Sequence, residues 1–131
     1  MNDLLPRQAW HFLQERPDAL FIDVRSETEF WFVGHPVGAT NIPWADGPDW
    51  VINPEFAGQV RALAGAGGES RPVVLICRSG NRSADAGRTL ESEGFLEVHN
   101  VVHGFEGDLD DSLHRNTLNG WRREGLPWEQ G

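Results

Sequence analysis

The run Val73-Val74-Leu75-Ile76 restricts this chain more than any other stretch, because four consecutive apolar residues lead without polar interruption into Cys77. A strand with one wet face alternates apolar and polar residues; an unbroken run predicts burial on both faces, as in a parallel sheet covered by helices. Past the cysteine the character of the chain changes at once. Arg78-Ser79-Gly80-Asn81-Arg82-Ser83 is small, polar and cationic, with Gly80 free to turn the backbone. A helix is predicted from about Asn81 to Ser83 onward, with Asn and Ser as caps and Asp85 at the positive end of its dipole. Strand, tight loop and helix aim several backbone N–H groups at one point, and an anion belongs there.

Cys77 lies at the edge of that point. A thiol beside a helix N-terminus and flanked by arginines has its thiolate favoured, and the thiolate is the nucleophile. Arg78 and Arg82 are both candidates to hold an incoming anion. No general base is visible nearby, so the loop suits a leaving group that needs no proton. The alternative, an inert apolar residue at a strand end, fits poorly with neighbours so unsuited to a core.

The remaining chain gives the elements around this unit. Pro6 to Arg16 reads as an amphipathic helix and Leu20 to Val24 as a strand. Ser26-Glu27-Thr28-Glu29 is a capping box ahead of a short helix that stops at Gly34. Trp44 to Trp50 is a loop whose two tryptophans either line a substrate entrance or cover the sheet edge, and the second is the expected role. Asn53-Pro54 opens a helix that buries Phe56, Val60, Leu63 and Ala64. Gly94 ends the helix after the Cys77 loop, and Glu97 to Val102 is the last strand. Leu118 to Glu124 reads as a closing helix around Trp121.

Cys77-Arg78-Ser79-Gly80-Asn81-Arg82-Ser83 resembles the active-site loop of the rhodanese-like sulfurtransferases. Asp23-Val24-Arg25 with Gly34-His35 and Gly38-Ala39-Thr40-Asn41-Ile42-Pro43 is similar to that family's N-terminal pattern, and Gly120-Trp121 with Gly125-Leu126-Pro127-Trp128 to its ending. The resemblance spans about Leu20 to Trp128. It implies a single α/β domain over residues 1–131, with a central, mostly parallel sheet of about five strands and helices on both faces. It also implies a Cys77 persulfide that passes on its outer sulfur, residues 78–83 binding the substrate, and Asp23 and Arg25 as structural support. The expected donor is a small anion, thiosulfate or a persulfide, and the acceptor cyanide, a small thiol or a protein thiol. The alternative is a rhodanese-type module that binds a partner protein and turns over little on its own. Related phosphatases carry an arginine six residues after the cysteine; here that position is Ser83 and Arg82 comes one place early, which disfavours phosphate chemistry. His103-Gly104 stands where the family has two glycines, placing His103 at the pocket mouth.

Charge and composition narrow the partners. The formal net charge of −9 argues against nucleic acid or an anionic membrane, so an anionic substrate relies on local cations. One cysteine among 131 residues excludes an intrachain disulfide and a thiolate-rich metal site. The segment at about 106–117 carries Asp108, Asp110, Asp111 and His114 without a recognised ligand spacing; it reads as a solvated insertion, with no metal and no cofactor. No secretory leader or membrane span is visible, and a reducing cytoplasm is the expected setting.

Overall fold

The computed structural model describes residues 1–131. In chain order the elements are β1 (Asn2–Leu4), α1 (Pro6–Glu15), β2 (Leu20–Asp23), a π-helical turn (Glu29–Val33), β3 (His35–Pro36), β4 (Thr40–Asn41), β5 (Ala45–Asp46), β6 (Val51–Ile52), α2 (Phe56–Ala64), a 3-10 turn (Gly68–Ser70), β7 (Val73–Ile76), α3 (Asn81–Ser92), β8 (Val98–Val101) and β9 (Trp128–Glu129). Five strands form the central sheet in the order β1-β8-β7-β2-β4, and every pairing in it is parallel. This is the α/β architecture expected from the apolar run, with β7 at the centre.

Strand alternation then divides the core in two. Val73, Leu75 and Cys77 face one way, into a cluster with Phe56, Val60 and Ala64 of α2 and Ala86 and Leu90 of α3. Val74 and Ile76 face the other way, toward Ala9 of α1 and toward Phe105, Trp121 and Leu126 from the C-terminal part of the chain. The sheet is therefore covered on both sides.

Several local expectations change. Neither Asn81 nor Ser83 caps α3; Gly80 precedes the helix with φ +112°, and no side chain fills the cap. The Ser83 hydroxyl is instead buried at the cysteine. Asn53 does act at the start of its helix, but earlier than α2 itself: its side chain accepts the Glu55 N–H at 3.0 Å, and the helix proper begins at Phe56. Leu63 lies on the exposed side of α2, and Ala57 takes its place in the core.

Residues 118–124 form turns rather than a helix. Gly120 has φ +108°, and a Cβ there would lie 2.6 Å from the Gly107 nitrogen. The N–H groups of Trp121 and Arg122 go to the carbonyls of Gly104 and Phe105 at 2.9 and 3.2 Å. Tertiary partners thus take the donors that a helix would need. β8 is also not the last strand, because β9 pairs antiparallel with β3. β1, at one edge of the central sheet, lies in a stretch that gave no strand signal.

Candidate active site

The site is built where β7 ends. Cys77 packs with the core on one side and forms the floor of a cleft of about 280 Å³ on the other, lined also by Trp50, Arg78, Ser79, Asn81 and Arg82. Only 1 % of its surface meets water, so the thiol is recessed. Its open side nevertheless faces polar loop residues rather than hydrocarbon. The Gly80 N–H donates to Cys77 Sγ at 3.1 Å, and the Ser83 hydroxyl stands 3.2 Å from the same sulfur. The first-turn N–H groups of Asn81, Arg82 and Ser83 have no intrahelical acceptor, and none is supplied elsewhere in the protein.

A second segment fixes how that loop faces. The N–H of Phe105 donates to Cys77 O at 2.8 Å, and that of Glu106 to Arg78 O at 2.9 Å. Since C=O and N–H of a trans peptide point opposite ways, pinning those carbonyls turns the N–H groups of Arg78 and Ser79 away from this backing segment. Gly104 lets the two backbones meet: it has φ +59°, and a Cβ there would come within 2.4 Å of Cys77 O.

His103, placed at the pocket mouth by the sequence pattern, is not there. It lines a separate cavity behind the loop, with Nδ1 3.3 Å from Asp108 Oδ2. It adopts φ +69°, the backbone region that a glycine would take freely. That left-handed backbone accounts for a glycine in the family pattern here.

The two loop arginines differ sharply. Arg82 makes a bidentate pair with Glu29, at 2.7 and 2.9 Å, and its guanidinium carbon stands 4.9 Å from the Trp50 ring centroid. Burial alone would raise the Glu29 carboxyl. Its hydrogen bonds and attraction to Arg82, helped by Ser26, outweigh that and hold it at about 2. For Arg82, burial works against the charged form, but the Glu29 pairing prevails and raises its pKa. Arg78 has no such partner. Ten of the eleven arginines donate to a carboxylate or carbonyl within the protein. Arg78 donates to none, and its Nε is buried without an acceptor. The uncommitted cation of the cleft is therefore Arg78, not the pair of arginines expected.

Asp23 and Arg25 sit outside the cleft as a buried ion pair, with contacts of 2.6 to 3.2 Å between guanidinium and carboxylate. Arg25 also donates to Gly34 O at 2.6 Å and lies over the Phe105 ring at 4.6 Å. It thus ties the β2 end to the segment that backs Cys77. In the acidic insertion, Asp110 accepts from Ser112, His114 and Thr117, so this carboxylate organises its own loop.

Three residues near the cysteine carried weaker signals. Trp50 takes the less expected of the two roles and lines the cleft, while Trp44 is buried in the core against Phe56. Residues 45–52 make a hairpin, β5–β6, that brings Trp50 over Arg82. Glu29 was visible only as part of a capping box, which it does form with Ser26. Asn100 of β8, a polar residue on a fully buried strand, places Oδ1 2.5 Å from Ser83 Oγ and donates to Gly80 O at 3.3 Å. A single hydroxyl proton on Ser83 thus has Cys77, Gly80 and Asn100 as competing acceptors.

Comparison with known proteins bears on this arrangement. Residues 6–110 match the rhodanese-like domain family. Thiosulfate sulfurtransferase 16, chloroplastic, of Arabidopsis thaliana is 31 % identical over 109 residues, covering 82 % of this chain and 77 % of that protein. The crystal structure of Rv0390 from M. tuberculosis superposes with a TM-score of 0.86 at 38 % identity, covering 100 % of this chain and 98 % of that one. The polysulfide-sulfur transferase homodimer of Wolinella succinogenes gives a TM-score of 0.66 at 27 % identity, over 100 % of this chain and 80 % of that one.

Proposed function

The chain belongs to the rhodanese-like domain family, and from that membership we propose that it is a sulfurtransferase of the thiosulfate type, acting as one domain through a Cys77 persulfide. The observation that carries the reading is the recessed Cys77 sulfur, met by the Gly80 N–H and the Ser83 hydroxyl, beneath an arginine with no internal partner. The relative from A. thaliana bearing the thiosulfate sulfurtransferase name supports it.

In the first half-reaction the Cys77 thiolate attacks the sulfane sulfur of thiosulfate. A bond forms between Sγ and that sulfur, the donor S–S bond breaks, and its electron pair leaves on sulfite, so no proton moves. Arg78 holds the anion's oxygens. The outer sulfur of the persulfide then lies among the N–H groups of residues 78–83, fixed dipoles that need no reorganisation to stabilise it. In the second half-reaction cyanide or a thiolate takes that sulfur, and the Cys77 thiolate returns. A reducing compartment keeps the single cysteine available for this cycle.

The test is turnover of thiosulfate and cyanide to thiocyanate and sulfite, with parallel initial-rate lines for a covalent two-step route. Turnover that persists in Cys77→Ser contradicts the reading. A second reading, a module that binds a partner protein, is favoured by the exposed Trp50, Val51 and Ile52 beside the cleft. A stable complex retained by Cys77→Ser, together with negligible transfer by the native protein, would select it.

A further inference from the structure

We propose that Trp50 is a specificity-determining residue that suits this cleft to organic sulfane donors, thiosulfonates of the form R–SO2–S⁻, whose carbon substituent rests on the indole. The proposal builds on the sulfur-transfer reading of Cys77 and adds the class of donor.

Three features of the cleft lead there. At about 280 Å³ it is near the small end of pockets that hold organic ligands, and a five-atom inorganic anion leaves much of it unfilled. Its one uncommitted cation is Arg78, with Ser79 and Asn81 as neutral polar neighbours of the recessed sulfur. The large side chain lining the same cleft is Trp50, 53 % exposed. A donor that is anionic at one end and apolar at the other can use both the cation and the indole that line this cleft.

The indole is also held in place. Trp50 has φ +51°, an uncommon conformation for a bulky residue, of a kind that clusters at ligand clamps. Its ring lies over the Arg82 guanidinium, which Glu29 in turn grips through both carboxylate oxygens. A wall fixed in this way costs little further ordering when a substituent packs on it. The reaction keeps its balance: the Cys77 thiolate bonds to the sulfane sulfur, the bond to the sulfonyl sulfur breaks with its pair on the leaving sulfinate, and cyanide completes the cycle as thiocyanate.

The experiment compares kcat/KM for thiosulfate, methanethiosulfonate anion and benzenethiosulfonate anion in the native protein, Trp50→Phe and Trp50→Ala. The native protein is expected to prefer the aryl over the methyl donor by about tenfold, the size of a good aromatic contact. Trp50→Phe should keep most of that ratio. Trp50→Ala should bring it below about twofold, mainly through KM. If Trp50→Ala lowers all three donors by the same factor, the ring serves only to clamp Arg82 and the proposal is overturned. A native protein that does not distinguish the two organic donors overturns it as well. Should the native protein take sulfur from none of the three while Cys77 still reacts with an alkylating agent, the sulfur-transfer reading falls and this inference with it.

Discussion

The two sides of Cys77 are made differently. Beneath the sulfur, Gly80, Ser83 and Asn100 are buried and meet it or one another through neutral hydrogen bonds. Above it, Arg78, Arg82 and Trp50 stand partly open, and the organising contact is ionic, between Arg82 and Glu29. The floor holds the reacting atom at one place and one polarity. The mouth handles whatever arrives. Mutations on the floor therefore belong in kcat, and those at the mouth in KM, selectivity and acid sensitivity.

The largest expected effect removes the atom that both sides serve. Cys77→Ser should drop thiosulfate–cyanide turnover to background while its thermal midpoint stays close to native, since the two side chains differ little in size. A midpoint lowered by many degrees would mean that the sulfur holds the floor together rather than reacting there.

Next comes Glu29. Its folded value of about 2 lies below its ordinary 4.5, so its stabilisation is full above about pH 4.5 and is lost as pH falls toward 2. Glu29→Gln should cost about 1–2 kcal/mol at pH 7, because the pair with Arg82 is only part-buried and solvent screens it. In denaturant titrations the gap between the two proteins should close by pH 2. A gap that is independent of pH would show that charge is not what holds the mouth.

Arg78→Met should lower kcat/KM for thiosulfate about tenfold to a hundredfold, mostly through KM, in line with roughly 1.5–3 kcal/mol for a charged hydrogen bond. Steady-state kinetics with Arg82→Met alongside sharpens the contrast between the two arginines. Arg78→Met should hurt affinity with little change in the thermal midpoint, whereas Arg82→Met should lower that midpoint because Glu29 is left unpaired. Equal losses of affinity from both would erase the distinction. Smallest is Ser83→Ala, where one hydrogen bond worth about 1 kcal/mol should reduce kcat fivefold or so with KM retained. A change confined to KM would move Ser83 from floor to mouth.

The same division separates the parts of the molecule that are legible in local sequence from those that are not. β7, its loop and α3 come from local rules, because an unbroken apolar run, a glycine and a helix start act within a few residues of one another. The inner strands β2, β7 and β8 and the covering helices α1, α2 and α3 are legible for the same reason, whereas the edge strands β1 and β4 are not. Local rules fail where partners are remote. Residues 118–124 have the composition of a helix, yet Gly120 packs on Gly107 and the Trp121 N–H goes to Gly104. Nothing in the local sequence announces Asn100 as a partner of Ser83, beyond the oddity of an amide in a buried strand. The Glu29–Arg82 pair spans 53 positions, so a capping box is all that the local pattern at Glu29 discloses. Of the two tryptophans, Trp44 and Trp50, only the β5–β6 hairpin that carries Trp50 decides which one reaches the cleft.

The most direct measurement is the mass of the peptide that contains Cys77 after the native protein has met thiosulfate without an acceptor. The account predicts a gain of one sulfur atom on Cys77, removed on addition of cyanide with release of thiocyanate. An unchanged mass, with the thiol free and open to alkylation, would contradict it.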